Sequence, residues 1–131
     1  MSSLTHSEKI IKRLGSFWQR KDVPLISRED LFEIRNNVKN FLDPIPLGDG
    51  VEGFVIPVYL DKTLMFRTVG IAGSILELHA HNCKEIVRLI EGQIKLNEVL
   101  YNPGDTIVFQ PNIAHKLEGV TDYDFYVEFP E

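Results

Sequence analysis

Turn residues divide the chain from Leu47 onward into short apolar runs, and this pattern restricts the fold more than any other feature of the sequence. Each run is four to eight residues long, which is the usual length of a strand. The predicted strands cover residues 54–60, 63–70, 74–81, 85–91, 93–96, 106–110, 115–118 and 123–129. Many short strands at close spacing are typical of an all-β sandwich or barrel and argue against alternating β and α units. We therefore predict an all-β fold of two packed antiparallel sheets.

Two of these strands have features of their own. Pro57 has no backbone N–H, so the strand at residues 54–60 is predicted to be an edge strand or a bulged one. The strand at residues 85–91 has apolar residues at both parities, which predicts that both of its faces are covered.

The residues before this region have the pattern of helices. A capping box at Thr5 and Glu8 precedes apolar residues at helical spacing up to about residue 20, and a second apolar stripe runs from Ser27 to Asp43-Pro44. We predict two N-terminal α-helices that pack on the barrel, with a lid or a dimer arm as the alternative role. The predicted regions are a helical segment, residues 1–46, and a barrel domain, residues 47–131.

Composition excludes several classes of function. The 14 basic and 19 acidic residues give a formal net charge of −5, and basic residues occur in runs of at most two, so nucleic-acid binding is not expected. No apolar stretch approaches the roughly 18 to 20 residues of a membrane-spanning helix, so no membrane partner is expected. Cys83 is the single cysteine, and the N-terminus lacks the regions of a secretion signal. We expect a soluble protein in a reduced, cytoplasmic compartment.

Three of the four histidines lie in the predicted β region, and their spacing indicates a metal site. His79 and His81 are two apart on a predicted strand, so both imidazoles project from one face with their Cα atoms roughly 6.5 to 7 Å apart. A turn at residues 82–84 allows Glu85 to open the neighbouring antiparallel strand and direct its carboxylate to the same point. His115 lies on a later predicted strand.

The spacing around these residues resembles the first motif of the cupin superfamily. That motif runs Gly73, five residues, His79, one residue, His81, three residues, Glu85, six residues and Gly92, and the sequence matches it without departure. For this composition, a chance match anywhere in the chain has a probability on the order of 10⁻⁴ or less. The resemblance implies a conical β-barrel, the double-stranded β-helix or jelly roll, over about residues 50 to 129.

The second cupin motif is matched in part. Gly104-Asp105 and His115 stand at the separation of that motif, while Gln110 replaces its usual proline and Asn112 its usual glycine. Asparagine adopts the left-handed backbone more readily than other non-glycine residues, so we expect the turn to be retained.

In metal-dependent cupins the two histidines and the glutamate of the first motif and the histidine of the second bind one divalent metal. The resemblance therefore implies His79, His81, Glu85 and His115 as the ligands. Three neutral imidazoles and one carboxylate suit a divalent transition metal (Fe, Mn, Ni, Zn or Cu) better than Ca or Mg, which prefer more oxygen ligands. An octahedral ion would keep two positions for water, substrate or dioxygen. The alternative is a degenerate site whose residues only form hydrogen bonds.

Further residues are candidates for the surroundings of this site. Glu77 shares strand parity with the two histidines, so it faces the same side provided that no bulge resets the alternation. It is then the candidate catalytic acid or base. The alternative is a solvated glutamate. Arg67 and Arg88 could hold a substrate carboxylate or could lie at the surface. The apolar residues that share parity with a ligand, and are therefore expected to line a cavity, are Val87, Leu89 and Leu117.

These features lead to two classes of function. The first is a metal-dependent enzyme that acts on a small anionic organic molecule. Dioxygenase chemistry leads because dioxygenases are prominent among cupins with this ligand set, and isomerases and lyases of the same family are alternatives. The second is a non-catalytic protein that binds or senses a small molecule, and a purely structural metal is a third reading. We also expect a homodimer, because an edge strand and a strand with two apolar faces leave surface to cover.

Overall fold

The computed structural model describes residues 25–37, 45–47, 52–60 and 63–130. These residues form eleven strands and one helix. In chain order they are β1 (Leu25–Ile26), α1 (Arg28–Asn37), β2 (Ile45–Pro46), β3 (Gly53–Leu60), β4 (Thr63–Gly70), β5 (Ile75–His81), β6 (Glu85–Glu91), β7 (Ile94–Leu96), β8 (Val99–Tyr101), β9 (Thr106–Phe109), β10 (His115–Gly119) and β11 (Tyr123–Phe129).

The strands form two sheets. The five-stranded sheet has the order β1-β5-β10-β7-β8, and the six-stranded sheet has the order β2-β3-β4-β11-β6-β9. Neighbouring strands are antiparallel except β1 and β5, which pair in parallel through two residues. The prediction of an all-β fold with two sheets is confirmed, and among the described strands β1 alone departs from the predicted antiparallel pairing.

The inward faces of the two sheets form one hydrophobic core. β4 and β11 alternate between buried and half-buried side chains along most of their length, which places every second residue inside. The core side chains of these two strands are Leu64, Phe66, Tyr123, Phe125, Val127 and Phe129, and those of the opposite sheet include Leu76, Ile94, Leu96 and Leu117. The interior between the sheets is therefore the place where inward-facing polar residues would meet.

The predicted strands agree with the structure to within one residue at each end. The sequence pattern did not indicate β1, β2 or β8. β1 and β2 have two residues each and exist through pairing with longer strands, so they leave no periodic signal. β8 follows a two-residue turn at Asn97 and Glu98, whose φ angles are +51° and +68°, a left-handed pair typical of tight hairpins.

The helix α1 confirms part of the second predicted helix. The Ser27 hydroxyl oxygen accepts a hydrogen bond from the backbone N–H of Asp30 at 3.1 Å, as the predicted cap requires. The helix ends at Asn37, so the described residues contain one short helix rather than two. The predicted helix at residues 5–20 and the continuation to residue 42 lie outside the described residues. None of the described helices is long and apolar enough to cross a membrane.

Two short strands connect the chain before residue 47 with the barrel. β1 pairs with β5, and β2 pairs with β3. The division into residues 1–46 and 47–131 stays a prediction, and the pairing shows that the described parts of the first region belong to the same two sheets.

The two features predicted for individual strands, at Pro57 and in residues 85–91, have different outcomes. β3 lies between β2 and β4 in the sheet, and the described part of β2 pairs only with Phe54 and Val55, so an edge position for Pro57 stays a prediction. β6 buries Val87 and Leu89 on its inner face, but Ile90 is 49% exposed. The prediction that both faces of β6 are covered is therefore wrong at this end of the strand.

Candidate metal centre

Three strands bring the four predicted ligands to one place in the interior. His79 and His81 lie on β5, His115 opens β10 directly opposite His79, and Glu85 opens β6 in the other sheet. All four residues are buried, with no more than 6% of any of them exposed. One ring nitrogen from each histidine lies within 4.8 Å of the other two. The predicted convergence of these side chains is therefore present in the fold.

A β-bulge in β5 determines which side chains face this point. Two residues of β5, Glu77 and Leu78, lie opposite the single residue Lys116 of β10, because the register shifts there. The bulge resets the alternation of the strand. Leu76 consequently faces the interior together with the two histidines, although it has the opposite sequence parity.

Backbone carbonyl groups fix the orientation and the tautomer of all three imidazoles. The Nδ1 to oxygen distances are 2.8 Å from His79 to Glu77, 2.9 Å from His81 to Ile26 and 3.1 Å from His115 to Ile113. A carbonyl oxygen only accepts hydrogen bonds, so each Nδ1 carries a proton and donates, and in the neutral ring Nε2 keeps its lone pair. Histidines that bind metals are held in the same way, by an acceptor on the second ring nitrogen.

The carboxylate of Glu85 lies against two of these rings. Its Oε2 atom is 3.0 Å from Nε2 of His115 and 3.6 Å from Nε2 of His81. Burial by itself raises the pKa of Glu85, but the neighbouring His115 and His81 outweigh it and lower the pKa to about 2. Glu85 therefore supplies a full negative charge inside the barrel.

Burial is the main influence on the histidines. Desolvation, strengthened by repulsion from His115 and His81, holds the pKa of His79 well below its ordinary value. Desolvation also lowers the pKa of His81, against the attraction of Glu85. For His115 burial acts in the same direction, but its contact with Glu85 is stronger and raises the pKa. His79 and His81 are therefore neutral bases at physiological pH.

The site contains a surplus of electron pairs that a cation would balance. Glu85 Oε2 and His115 Nε2 are both buried, and neither has a hydrogen-bond partner among the described residues. A buried polar atom without a hydrogen-bond partner is costly. A divalent transition metal accepts electron pairs from three imidazoles and one carboxylate. The residues present therefore fit such an ion.

The site opens into a cavity of about 80 Å³ between the sheets. Apart from the four candidate ligands, the walls are apolar with the exception of Thr68. The lining residues are Ile26, Leu31, Pro46, Leu47, Val55, Phe66, Thr68, Leu76, Val87, Leu96, Leu117, Phe125, Val127 and Phe129, together with the three histidines and Glu85. The arrangement is a polar, electron-rich centre at the wall of an otherwise apolar pocket.

The fold is shared with solved structures, although no family model and no curated protein matches the sequence. A cupin-like protein from Thermotoga maritima superposes with a TM-score of 0.54 at 17% identity over 59% of this chain and 67% of that chain. A predicted oxalate decarboxylase from the same organism gives a TM-score of 0.54 at 23% identity over 66% and 88% of the two chains. An acetylacetone dioxygenase from Acinetobacter johnsonii gives 0.57 at 13% identity over 71% and 74%.

The chain has the cupin fold. Its two cupin motifs use left-handed backbone at the expected turns. Gly73 and Gly92 of the first motif have φ angles of +84° and +80°. Asn112, which stands in the glycine position of the second motif, has a φ angle of +67°, so the prediction that asparagine preserves this turn is confirmed.

The structure places the other predicted site residues differently. Glu77 belongs to the bulge and is not among the residues that line the cavity; its carbonyl oxygen accepts the bond from His79. A catalytic role for its carboxylate stays a prediction without a contact to support it. Val87 and Leu117 line the cavity as expected, whereas Leu89 is buried without lining it.

The two arginines considered as a carboxylate clamp lie elsewhere. Arg67 makes two hydrogen bonds with Asp124, at 2.9 Å and 2.6 Å, and Arg88 is half-exposed and 3.9 Å from Glu128. Neither arginine lines the cavity. Cys83 is half-buried, and burial raises the pKa of its thiol, so it is protonated at physiological pH.

Two residues that position the candidate ligands were not evident from the sequence. Ile26 in β1 supplies the carbonyl that holds His81. Asn97 holds the start of β10 next to His115: its side chain donates to the carbonyl of Ala114 at 3.1 Å and accepts from the N–H of Lys116 at 2.9 Å. The signal for Asn97 was its place as the first residue of a two-residue turn, where asparagine is favoured.

Proposed function

We propose that this cupin binds one divalent transition metal through Nε2 of His79, His81 and His115 and the carboxylate of Glu85, and that it uses the metal to act on a small organic molecule. The observation that carries the proposal is the pair of buried atoms, Glu85 Oε2 and His115 Nε2, that have no hydrogen-bond partner among the described residues. The three carbonyl-held imidazoles support it, because they direct unprotonated nitrogens to the same place.

A bound metal would act as a Lewis acid toward an oxygen-bearing substrate or toward dioxygen. The residues of this chain would do the rest. The three carbonyl contacts orient the ligand nitrogens, Glu85 balances part of the ionic charge, and the apolar walls exclude water from the reacting atoms.

Dioxygenase chemistry is the activity that we propose first. Acetylacetone dioxygenase is the name of one structural neighbour, and that likeness, at 13% identity, supports the fold alone. The chemical support comes from the site itself, since neutral imidazoles and one carboxylate form a ligand set that suits Fe(II) and leaves room for further ligands. A metal-dependent isomerase or lyase would use the same Lewis acid without dioxygen.

A non-catalytic binding or sensing protein is the second candidate. The apolar cavity favours this candidate, because small-molecule binding sites are mostly apolar with few polar groups. In addition, Glu85 is the only carboxylate among the described lining residues, so no second carboxylate there can serve as an acid or base. Turnover of a bound ligand with oxygen consumption would select the enzyme, and saturable binding without any turnover would select the sensor.

The first experiment is a measurement of metal content. Protein purified without added metal should contain close to one equivalent of a first-row transition metal by elemental analysis, or should take up one equivalent when Fe(II), Mn, Ni or Zn is added under anaerobic conditions. Persistent absence of metal after these incubations would contradict the proposal.

A further inference from the structure

The walls of the cavity carry almost no polar groups. Of the described residues that line it, the four candidate ligands and Thr68 are polar, and the others are aliphatic, aromatic or proline. Thr68 is neutral and 3% exposed. No lysine or arginine is among the lining residues. The described walls of this cavity therefore offer a ligand no cationic side chain to balance its charge.

The arginines on the neighbouring strands cannot supply that balance from where they lie. Arg67 on β4 forms its two hydrogen bonds with Asp124, and Arg88 on β6 has a side chain that is 53% exposed and lies near Glu128. Both strands direct their alternate residues, among them Phe66 and Val87, into the cavity. Because successive residues of a strand point to opposite faces, the two arginines lie on the outer face of the sheet.

The charges at the centre set a limit for the ligand. A carboxylate that binds a metal carries one negative charge, and imidazoles that donate from Nδ1 to carbonyl oxygens bind as neutral ligands. A divalent ion with these ligands has a net charge of +1. A ligand with one negative charge therefore makes the buried site neutral. A ligand with two negative charges leaves the site with a net charge of −1 among apolar side chains, which is strongly unfavourable.

We propose that the cavity selects a small, uncharged or singly charged molecule that presents two oxygen atoms to the metal and a hydrocarbon body to the walls, and that it discriminates against dicarboxylates. This inference rests on the proposed function, because it assigns the oxygen atoms to the metal. It replaces the expectation of an anion held by an arginine clamp.

Malonate, acetoacetate and acetylacetone provide a matched set of probes. Each has seven non-hydrogen atoms and can chelate a metal through two oxygens, and each replacement of a carboxylate oxygen by a methyl group removes one negative charge. Binding to the Ni- or Zn-loaded protein is measured by calorimetry, and each affinity is divided by the affinity of the same probe for the free ion. We expect the normalised affinity to rise at least about tenfold from malonate to acetylacetone.

A normalised affinity for malonate equal to or above that for acetylacetone would overturn the inference while the proposed function stood, because metal loading is established first. Arg67→Ala and Arg88→Ala serve as control variants. Both should leave the affinity for acetoacetate unchanged within about twofold, and a loss of tenfold or more in either would show that an arginine holds the ligand.

A second measurement uses the metal-free protein. Xenon binds in dry apolar cavities. We expect saturable changes in the methyl resonances of Leu76, Val87 and Leu117 under xenon pressure, since all three side chains line the cavity. Absence of these changes in a folded sample would mean that the cavity is filled with ordered water, and it would overturn the proposed selection for a hydrocarbon body.

Discussion

The acceptor on the second ring nitrogen decides what each buried histidine can do. His79, His81 and His115 all donate from Nδ1 to backbone carbonyls, so their Nε2 atoms converge without protons between them. Packing supports the same orientation, because the ring of Phe109 stacks on His115 at 4.3 Å between centroids. The site is consequently preorganised for a cation.

Replacing Glu85 by glutamine tests the charge of the site at constant shape. Glu85→Gln should weaken metal binding at least about tenfold, because the charged ligand is lost, while the far-UV circular dichroism stays unchanged. Calorimetric titration with Zn measures the effect. Glu77→Gln, on the preceding strand β5, is the control. This variant should bind metal like the original protein, because Glu77 does not line the cavity. Equal losses in the two variants would contradict the assignment of Glu85.

Alanine substitutions at two motif glycines distinguish the cost of a left-handed backbone from the cost of a steric clash. Gly92 has a φ angle of +80°, and a Cβ atom there would lie 1.9 Å from the carbonyl oxygen of Asp122. Gly73 has a φ angle of +84° with nothing within 4 Å of such an atom. Gly73→Ala should therefore cost about 1 kcal/mol of unfolding free energy and Gly92→Ala more than about 2 kcal/mol. Urea denaturation measures both, and equal costs would contradict the packing argument.

At the scale of elements, the site depends on pieces of chain distant from the motifs. β1 contributes a carbonyl to His81 through its parallel pairing with β5, and Arg28 at the start of α1 donates to the carbonyl of Phe129 at 3.2 Å. Asn82, in the turn between two ligands, accepts from the N–H of Arg28 at 2.9 Å. The first described residues are thus connected to the candidate metal centre.

The hairpin between β7 and β8 positions His115 through Asn97. Asn97→Gly keeps the left-handed backbone and removes both side-chain hydrogen bonds, so we expect metal affinity to fall about tenfold with little change in secondary structure. Asn102→Ala is the matched control, because it removes an exposed side-chain hydrogen bond to Gln93 that does not touch the strand of His115. Unchanged metal affinity in Asn97→Gly, measured by calorimetry, would contradict the positioning role.

At the scale of the whole molecule, the barrel has a hydrophobic core of its own. Sixteen buried apolar side chains from both sheets, β1, α1 and the segment at Leu47 form one cluster, so folding does not require the ion as it does in a zinc finger. A ligand that binds the folded state alone adds to its stability according to its concentration and affinity.

Removal of the metal should therefore leave a folded protein of lower thermal stability. After chelation we expect unchanged far-UV circular dichroism and a lower Tm. Reloading with metal at about a thousandfold excess over Kd should restore about 4 kcal/mol. Differential scanning calorimetry of both forms measures the difference. An unfolded metal-free form would contradict the argument from the core.

Self-association is the second prediction at this scale. Phe54 and Val108, both on the six-stranded sheet, are 45% and 46% exposed. We expect a homodimer, because exposed apolar surface on a sheet favours association. Light scattering at tens of micromolar should give twice the mass of one chain, and a monomer would contradict the prediction.

The sequence by itself determined eight of the eleven described strands and the set of candidate ligands. Strand bounds follow from local alternation and turn residues, and the spacing of His79, His81 and Glu85 depends only on residues near one another in the chain. The turn at Asn112 could also be predicted from the sequence, because tolerance of the left-handed backbone is a property of asparagine itself.

The tertiary structure alone decided which of the remaining residues belong to the site. The register between β5 and β10 places the bulge at Glu77 and turns its side chain away from the cavity, and no local pattern encodes that register. The carbonyl of Ile26 reaches His81 across 55 positions of the chain, and the outward direction of Arg67 depends on the face that β4 buries. Contacts between distant segments are set by how whole strands pair and pack, because only the assembled sheets define an inside.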